Sequence, residues 1–155
     1  SLVSFLNKGK TGSSFPVDKE RFLYVEYGKL YIKTKTSKTS YSYKLSLGRN
    51  YIKEIDGYFI LSEGEGKGKD CINVSDISDI TVRTRKDGDR IYIKSLSGSK
   101  KLKDIFIDKK ISRELRDVWP VVCENGKIIW LTGIYKNENK NAKYNIKAEW
   151  RSGNV

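Results

Sequence analysis

The chain has no histidine, only two cysteines and no long apolar run, and each absence closes off a class of function. Without imidazole there is no Ser-His or Cys-His nucleophilic pair and no zinc site built on ring nitrogens, and the distant Cys71 and Cys123 cannot complete a four-thiolate site. So few cysteines read as two free thiols and not as a disulfide framework. No window reaches the ~18 apolar residues of a membrane span, and no signal-peptide pattern opens the sequence, so a cytoplasmic protein without a membrane partner is expected. The acidic residues are scattered, with no pairing that singles out a general acid and base; surface roles are expected of them.

A phosphate-cradling loop is missing as well. Gly9-Lys10-Thr11 imitates the end of a P-loop, but the leading glycine is replaced by Ser4. Gly66-Lys67-Gly68-Lys69 runs into Asp70, where a magnesium-binding hydroxyl is needed. The glycine and charge content of 63–70 reads instead as a mobile loop.

What the chain does have is positive charge. Its 31 Lys/Arg stand against 19 Asp/Glu, for a net charge of +12 and a pI of about 9.6, which makes a polyanion the natural partner. With 37% hydrophobic and 12% aromatic residues, the composition is that of one folded domain with a single core. Between 79 and 118, twelve Lys/Arg are interleaved with seven Asp/Glu. Interleaving of that kind points to a shaped surface and away from a disordered basic tail.

Taken in order, Leu2-Val3-Ser4-Phe5-Leu6 reads as the last turn of a helix stopped at Gly9, which would make the chain a fragment of something longer. Residues 21–26 and 29–35 alternate as a β-hairpin across Tyr27-Gly28, with Lys33, Lys35 and Lys38 on a solvated edge. Strands are expected over 41–47 and within 50–62, punctuated by Gly48 and Gly57, then a short strand ending at Ile72 and Val74, and a turn or single helical turn over Ser75 to Ile80. Asp87-Gly88 predicts a hairpin between 80–85 and 90–94, with Arg83 and Arg85 on one face and Val82 beneath. In 101–110, Leu102, Ile105 and Phe106 recur at helical spacing, with Lys103 and Lys110 on one flank. Ser112 is placed to cap a second helix on which Arg113 and Arg116 share an exposed flank. Asn125-Gly126 predicts a hairpin joining 121–123 to 127–131, and 143–150 is a last strand.

Val82-Arg83-Thr84-Arg85-Lys86-Asp87-Gly88-Asp89-Arg90, then Lys100-Lys101-Leu102-Lys103-Asp104, Phe106-Ile107-Asp108, Arg116-Asp117 before Trp119-Pro120, and Ile128-Ile129-Trp130 before Gly133, resemble the C-terminal domain of tRNA(Ile)-lysidine synthetase (TilS). Gly9-Lys10-Thr11-Gly12 and Glu26-Tyr27-Gly28-Lys29-Leu30-Tyr31-Ile32 resemble the segment that enters that domain. Ser112 stands where the family more often has proline; both residues start helices. The resemblance implies a strand-rich α+β fold, a layered β/β/α domain with two short helices similar to a domain of the phenylalanyl-tRNA synthetase β chain. It divides the chain into 1–9 as the end of a preceding helix or linker, 10–78 as a strand-rich first half, and 79–155 as the basic core.

The resemblance also implies a division of labour. The family's Ser-Gly-Gly-x-Asp-Ser type ATP loop does not occur in these 155 residues, so ATP with magnesium is expected in a catalytic domain of the same protein. That domain would join lysine to the wobble cytidine of tRNA(Ile), and this chain, with no cofactor of its own, would grip the acceptor stem. Whether the full-length enzyme is a homodimer is left open. Arginine forks suit pairs of phosphate oxygens, which puts Arg83, Arg85, Arg90, Arg113 and Arg116 first, with Lys86, Lys100, Lys101, Lys103 and Lys110 as electrostatic support. Tyr92 and Trp130 are candidates for base stacking or for buried packing. A free-standing RNA-binding module and a structural or dimer-forming domain are the alternatives.

Overall fold

A computed structural model describes residues 11–17, 21–34 and 40–154. The expected helix end over 2–6, its stop at Gly9, and Lys35 and Lys38 lie outside the described residues. The chain forms two compact units, Ser1–Lys38 and Thr39–Val155.

The first unit carries β1 (Ser14–Pro16), β2 (Arg21–Glu26) and β3 (Lys29–Thr34) in one antiparallel sheet of that order. Tyr27 and Gly28 both take positive φ, at 49° and 77°, which is the backbone that a tight two-residue hairpin turn demands. The expected hairpin therefore forms, with Glu26 opposite Lys29 and Tyr24 opposite Tyr31, whose rings stack at 5.1 Å.

The second unit contains β4 (Ser42–Lys44), β5 (Gly48–Ile52), β6 (Gly57–Glu63), β7 (Cys71–Val74), β8 (Ile80–Arg83), β9 (Arg90–Ile93), β10 (Gly98–Lys101), α1 (Leu102–Asp108), α2 (Arg113–Val118), β11 (Val121–Glu124), β12 (Lys127–Leu131), β13 (Tyr135–Lys136) and β14 (Tyr144–Glu149). A four-stranded sheet has the order β5-β6-β14-β7, a five-stranded sheet the order β13-β12-β11-β8-β4, and β9 pairs with β10 as a separate ribbon. Because β4 pairs with β8, and β14 lies between β6 and β7, strands from before and after residue 79 share both sheets.

Alternation along the strands builds two cores. Phe59, Leu61, Ile72, Val74 and Ile146 from the four-stranded sheet meet Ile80, Val82, Val122 and Trp130 from the five-stranded one. On the opposite face of the five-stranded sheet, Val121, Cys123, Ile128 and Leu131 pack against Ile91 and Ile93 of the ribbon, Leu102, Ile105 and Phe106 of α1, and Trp119. The result is the expected layering, sheet on sheet with helices outside. A register shift between Val122 and Cys123 leaves one extra residue on β12, so that the consecutive Ile129 and Trp130 both enter the first core. Trp130 is 1% exposed, so it is a core residue and takes no part in base stacking. Truncating it to alanine is expected to cost about 3–5 kcal/mol.

Two local expectations are corrected. Asp87-Gly88 does turn the chain, but β8 and β9 do not pair: β8 joins β4 and β11, and β9 joins β10. Both edges of β8 are already taken, by β4 and β11, and Thr84 continues the β4 ladder, its N–H donating to the Tyr41 carbonyl at 3.0 Å and its Oγ1 accepting from the Tyr41 N–H at 3.2 Å. Ser75–Asp79 forms turns and bends, the turn alternative of the expectation, and a 3-10 turn at Lys53–Ile55 separates β5 from β6 just before the expected break at Gly57. Lys110 lies past the end of α1 with φ +55°, so it does not share a helical flank with Lys103.

Candidate nucleic-acid interface

The site grows from the segment 84–89. Asp89 accepts two bonds from Arg83, Nη1 to Oδ2 at 2.8 Å and Nη2 to Oδ1 at 3.1 Å, and a third from the Lys86 backbone N–H at 2.6 Å. Burial alone would raise the Asp89 carboxyl; the Arg83 fork and the Lys86 N–H outweigh it and hold the group below its ordinary range. With the turn fixed in this way, the Asp89 carbonyl accepts from the N–H of Leu102, the first residue of α1. The turn and the helix start are thus tied together at one end of the domain.

Arg85 projects toward the helices. Its Nη2 lies 3.1 Å from Asp117 Oδ1 of α2, and its guanidinium carbon sits 5.6 Å from the Phe106 ring centroid. The Ser112 side chain accepts from the Leu115 N–H at 3.2 Å, the expected N-cap, and Arg113 is exposed on the first turn that follows. Between the turn and the two helices lies an open groove of about 420 Å³, lined by Arg85, Lys86, Lys101, Lys103, Arg113 and Arg116 and floored by Leu102 and the 87–89 turn.

Six of the ten predicted cations therefore converge on one groove. Two of them arrive differently from the expectation: Arg85 is paired with Asp117, and Arg116 is not on an exposed flank. Arg116 is 6% exposed, and its Nε donates to the Ile111 carbonyl at 2.7 Å, because the short α2 turns that position back onto the loop leading into it. The other four lie outside the groove lining. Arg83 is a structural brace with only 12% of its side chain exposed, Lys100 pairs with Asp108, and Lys110 occupies the left-handed turn beyond α1. Arg90 lies on the outward face of the ribbon, with Nε 2.8 Å from Ser99 Oγ and Nη2 3.1 Å from the Ser99 carbonyl. Sequence reasoning missed Asp117 as the partner of Arg85, and no local spacing could signal a pair so far apart in the chain.

No cluster of potential metal ligands occurs among the described residues, and no helix there is long and apolar enough to cross a membrane. Cys71 and Cys123 are free, as expected, and buried. The 64–70 loop is held by Asn73, whose side chain exchanges two hydrogen bonds with Gly66, and by Lys136 Nζ on the Gly68 carbonyl. It leads into β7 and not into a helix, so it lacks the helix N-terminus that a nucleotide-phosphate cradle uses, and these residues do not fit ATP.

Comparison with known proteins matches this geometry to a family. The family model described as TilS substrate C-terminal domain matches residues 80–151. A solved structure, the crystal structure of TILS C-terminal domain, superposes with a TM-score of 0.62 at 30% identity, covering 72% of this chain and 98% of that one. The chain belongs to the TilS C-terminal domain family. TilS relatives in sequence are named tRNA(Ile)-lysidine synthase. The protein from Bacillus subtilis (strain 168) is 56% identical over 59 residues, 37% of this chain and 12% of that protein. The one from Geobacillus kaustophilus (strain HTA426) is 44% identical over 92 residues, 53% of this chain and 20% of that protein. The chain thus spans no more than a fifth of the length of these TilS relatives.

Proposed function

We propose that this chain is the tRNA-gripping part of a tRNA(Ile)-lysidine synthetase, and that the groove between the 84–89 turn and the two helices holds the phosphate backbone of the acceptor stem. The catalytic domain of the same protein, with ATP and magnesium, would join lysine to the wobble cytidine of tRNA(Ile) in the cytoplasm. In this reading the present residues supply position and no bond chemistry.

A-form RNA has a major groove too narrow for side chains to enter, so a protein holds it by phosphates and by the shallow minor groove. That task needs several cations at fixed separations. The observation that carries the reading is the convergence of Arg85, Lys86, Lys101, Lys103, Arg113 and Arg116 on one open groove, from a turn, a strand end and two helices. Arg85 is braced by Asp117 and Phe106, and a braced fork loses less side-chain freedom on binding than a loose one.

The test is a salt series of tRNA titrations on Lys86→Ala, Lys101→Ala and Lys103→Ala, all exposed side chains. Each is expected to weaken binding by about 1 kcal/mol and to reduce the salt slope by roughly one unit per lost phosphate contact. Unchanged affinity and slope in all three would shift the assignment to a structural role.

A further inference from the structure

The outward face of the β9–β10 ribbon continues the groove through Lys101, yet differs from it in character. Register places Arg90 opposite Lys101 and Tyr92 opposite Ser99, while the alternate residues Ile91 and Ile93 are buried. The outward positions of the two strands are therefore Arg90, Tyr92, Ser99 and Lys101, with no carboxylate among them, and the ribbon turns at the exposed Lys94.

Tyr92 is 43% exposed on a strand whose neighbours in sequence are core residues. Arg90 reaches diagonally across the ribbon to Ser99, the residue facing Tyr92, and makes two bonds there, from Nε and Nη2. Nη1 of Arg90 is left with no hydrogen-bond partner among the described residues. The backbone beneath is rigid, because the Tyr92 carbonyl accepts from Asn137 Nδ2 at 2.9 Å and the Lys94 N–H donates to the Tyr135 hydroxyl at 2.9 Å.

Resting on the reading that the groove holds duplex RNA, the geometry points to a second subsite: the ribbon face takes an unpaired nucleotide that runs on from the duplex, its base stacked on Tyr92 and its phosphate on Arg90 and Lys101. A flat ring with flanking cations suits any base, since every base offers a π-face, and it leaves paired RNA unrecognised because paired bases are already stacked. A protein partner would need a larger apolar patch than one ring bordered by cations offers.

The experiment titrates the full 155-residue chain with three RNAs: a blunt duplex, the same duplex with four unpaired nucleotides at its 3′ end, and the same with four at its 5′ end. One overhang is expected to bind about 5- to 150-fold more tightly than the blunt duplex, the range a single base–aromatic stack gives. Tyr92→Ala should abolish that gain while leaving blunt-duplex affinity unchanged, and Tyr92→Phe should keep it. Arg90→Gln, which removes the guanidinium without touching the core, should also reduce it. Blunt and overhanging RNAs bound equally by the wild type, or a gain that survives Tyr92→Ala, overturns the subsite alone. Failure to bind any of the three RNAs overturns the groove reading together with it.

Discussion

Asp89 holds Arg83 with both carboxylate oxygens, at 2.8 and 3.1 Å, and the two side chains are only 13% and 12% exposed. This pair makes the turn that borders the groove, so a cation expected on the RNA-facing surface is spent internally to place Lys86 and Arg85. Asp89→Asn leaves a buried guanidinium without its counter-charge, and a loss of about 3 kcal/mol at pH 7 is expected by urea denaturation. The carboxyl lies below its ordinary value in the folded state, so its stabilisation is present above about pH 4 and is lost as pH falls through the depressed folded value. The gap between wild type and variant should therefore close as pH falls below about 4. Equal stability at pH 7 would show that the pair braces nothing.

Arg85 and Asp117 have the same chemistry in a wetter setting, with 22% and 32% of their side chains exposed. Asp117→Asn is expected to cost under about 1 kcal/mol, because water replaces much of the lost interaction. Its effect should appear in binding instead. Released from Asp117, Arg85 must be ordered anew on each encounter, so tRNA affinity should fall although a negative charge near the groove has been removed. Tighter binding by the variant would mean that Asp117 acts only as a repelling charge.

Residues whose conformation is decided by their neighbours in sequence were legible. Tyr27-Gly28 and Asn125-Gly126 made their hairpins, Ser112 capped its helix, and Leu102, Ile105 and Phe106 faced the core as their spacing required. The basic groove was legible in kind, because six of the cations grouped by spacing do line it. Illegible were the choices made by distant partners. Asp87-Gly88 carries as strong a hairpin signal as Asn125-Gly126, yet β4 and β11 occupy both edges of β8 and leave β9 to pair with β10. Arg116 reads as surface charge, but the Ile111 carbonyl near the start of its short helix offers a part-buried acceptor. No local pattern encodes either competition.

The cap on α2 gives a direct stability test. Ser112 Oγ satisfies the Leu115 N–H, one of the donors that the start of a helix leaves unpaired. Ser112→Ala is expected to cost about 1 kcal/mol, and Ser112→Asp to preserve stability, since a carboxylate both accepts that bond and suits the positive end of the helix. Thermal melts of the two variants decide it. Because Arg113 and Arg116 ride on the same helix, Ser112→Ala should also weaken tRNA binding modestly, an effect that Ser112→Asp should show less.

Glu124 is the opposite case from Asp89, a carboxylate the fold tolerates poorly. It sits at the end of β11 with Oε2 buried and without a hydrogen-bond partner among the described residues. Burial and the nearby Asp76 charge push its carboxyl above the ordinary range, and Lys127 only partly opposes them. A group raised on folding loses its proton first in the unfolded chain, so the folded state is penalised as pH rises through the ordinary range, and the full penalty stands above the raised value. At pH 7, Glu124→Gln removes that penalty and is expected to raise the melting temperature, by an amount worth less than about 1 kcal/mol because the group keeps part of its hydration. Below about pH 4 the wild-type side chain is itself neutral, and the advantage should vanish. A melting temperature that does not rise at pH 7, or a gain that persists undiminished into acid, would show that Glu124 is not strained by its charge.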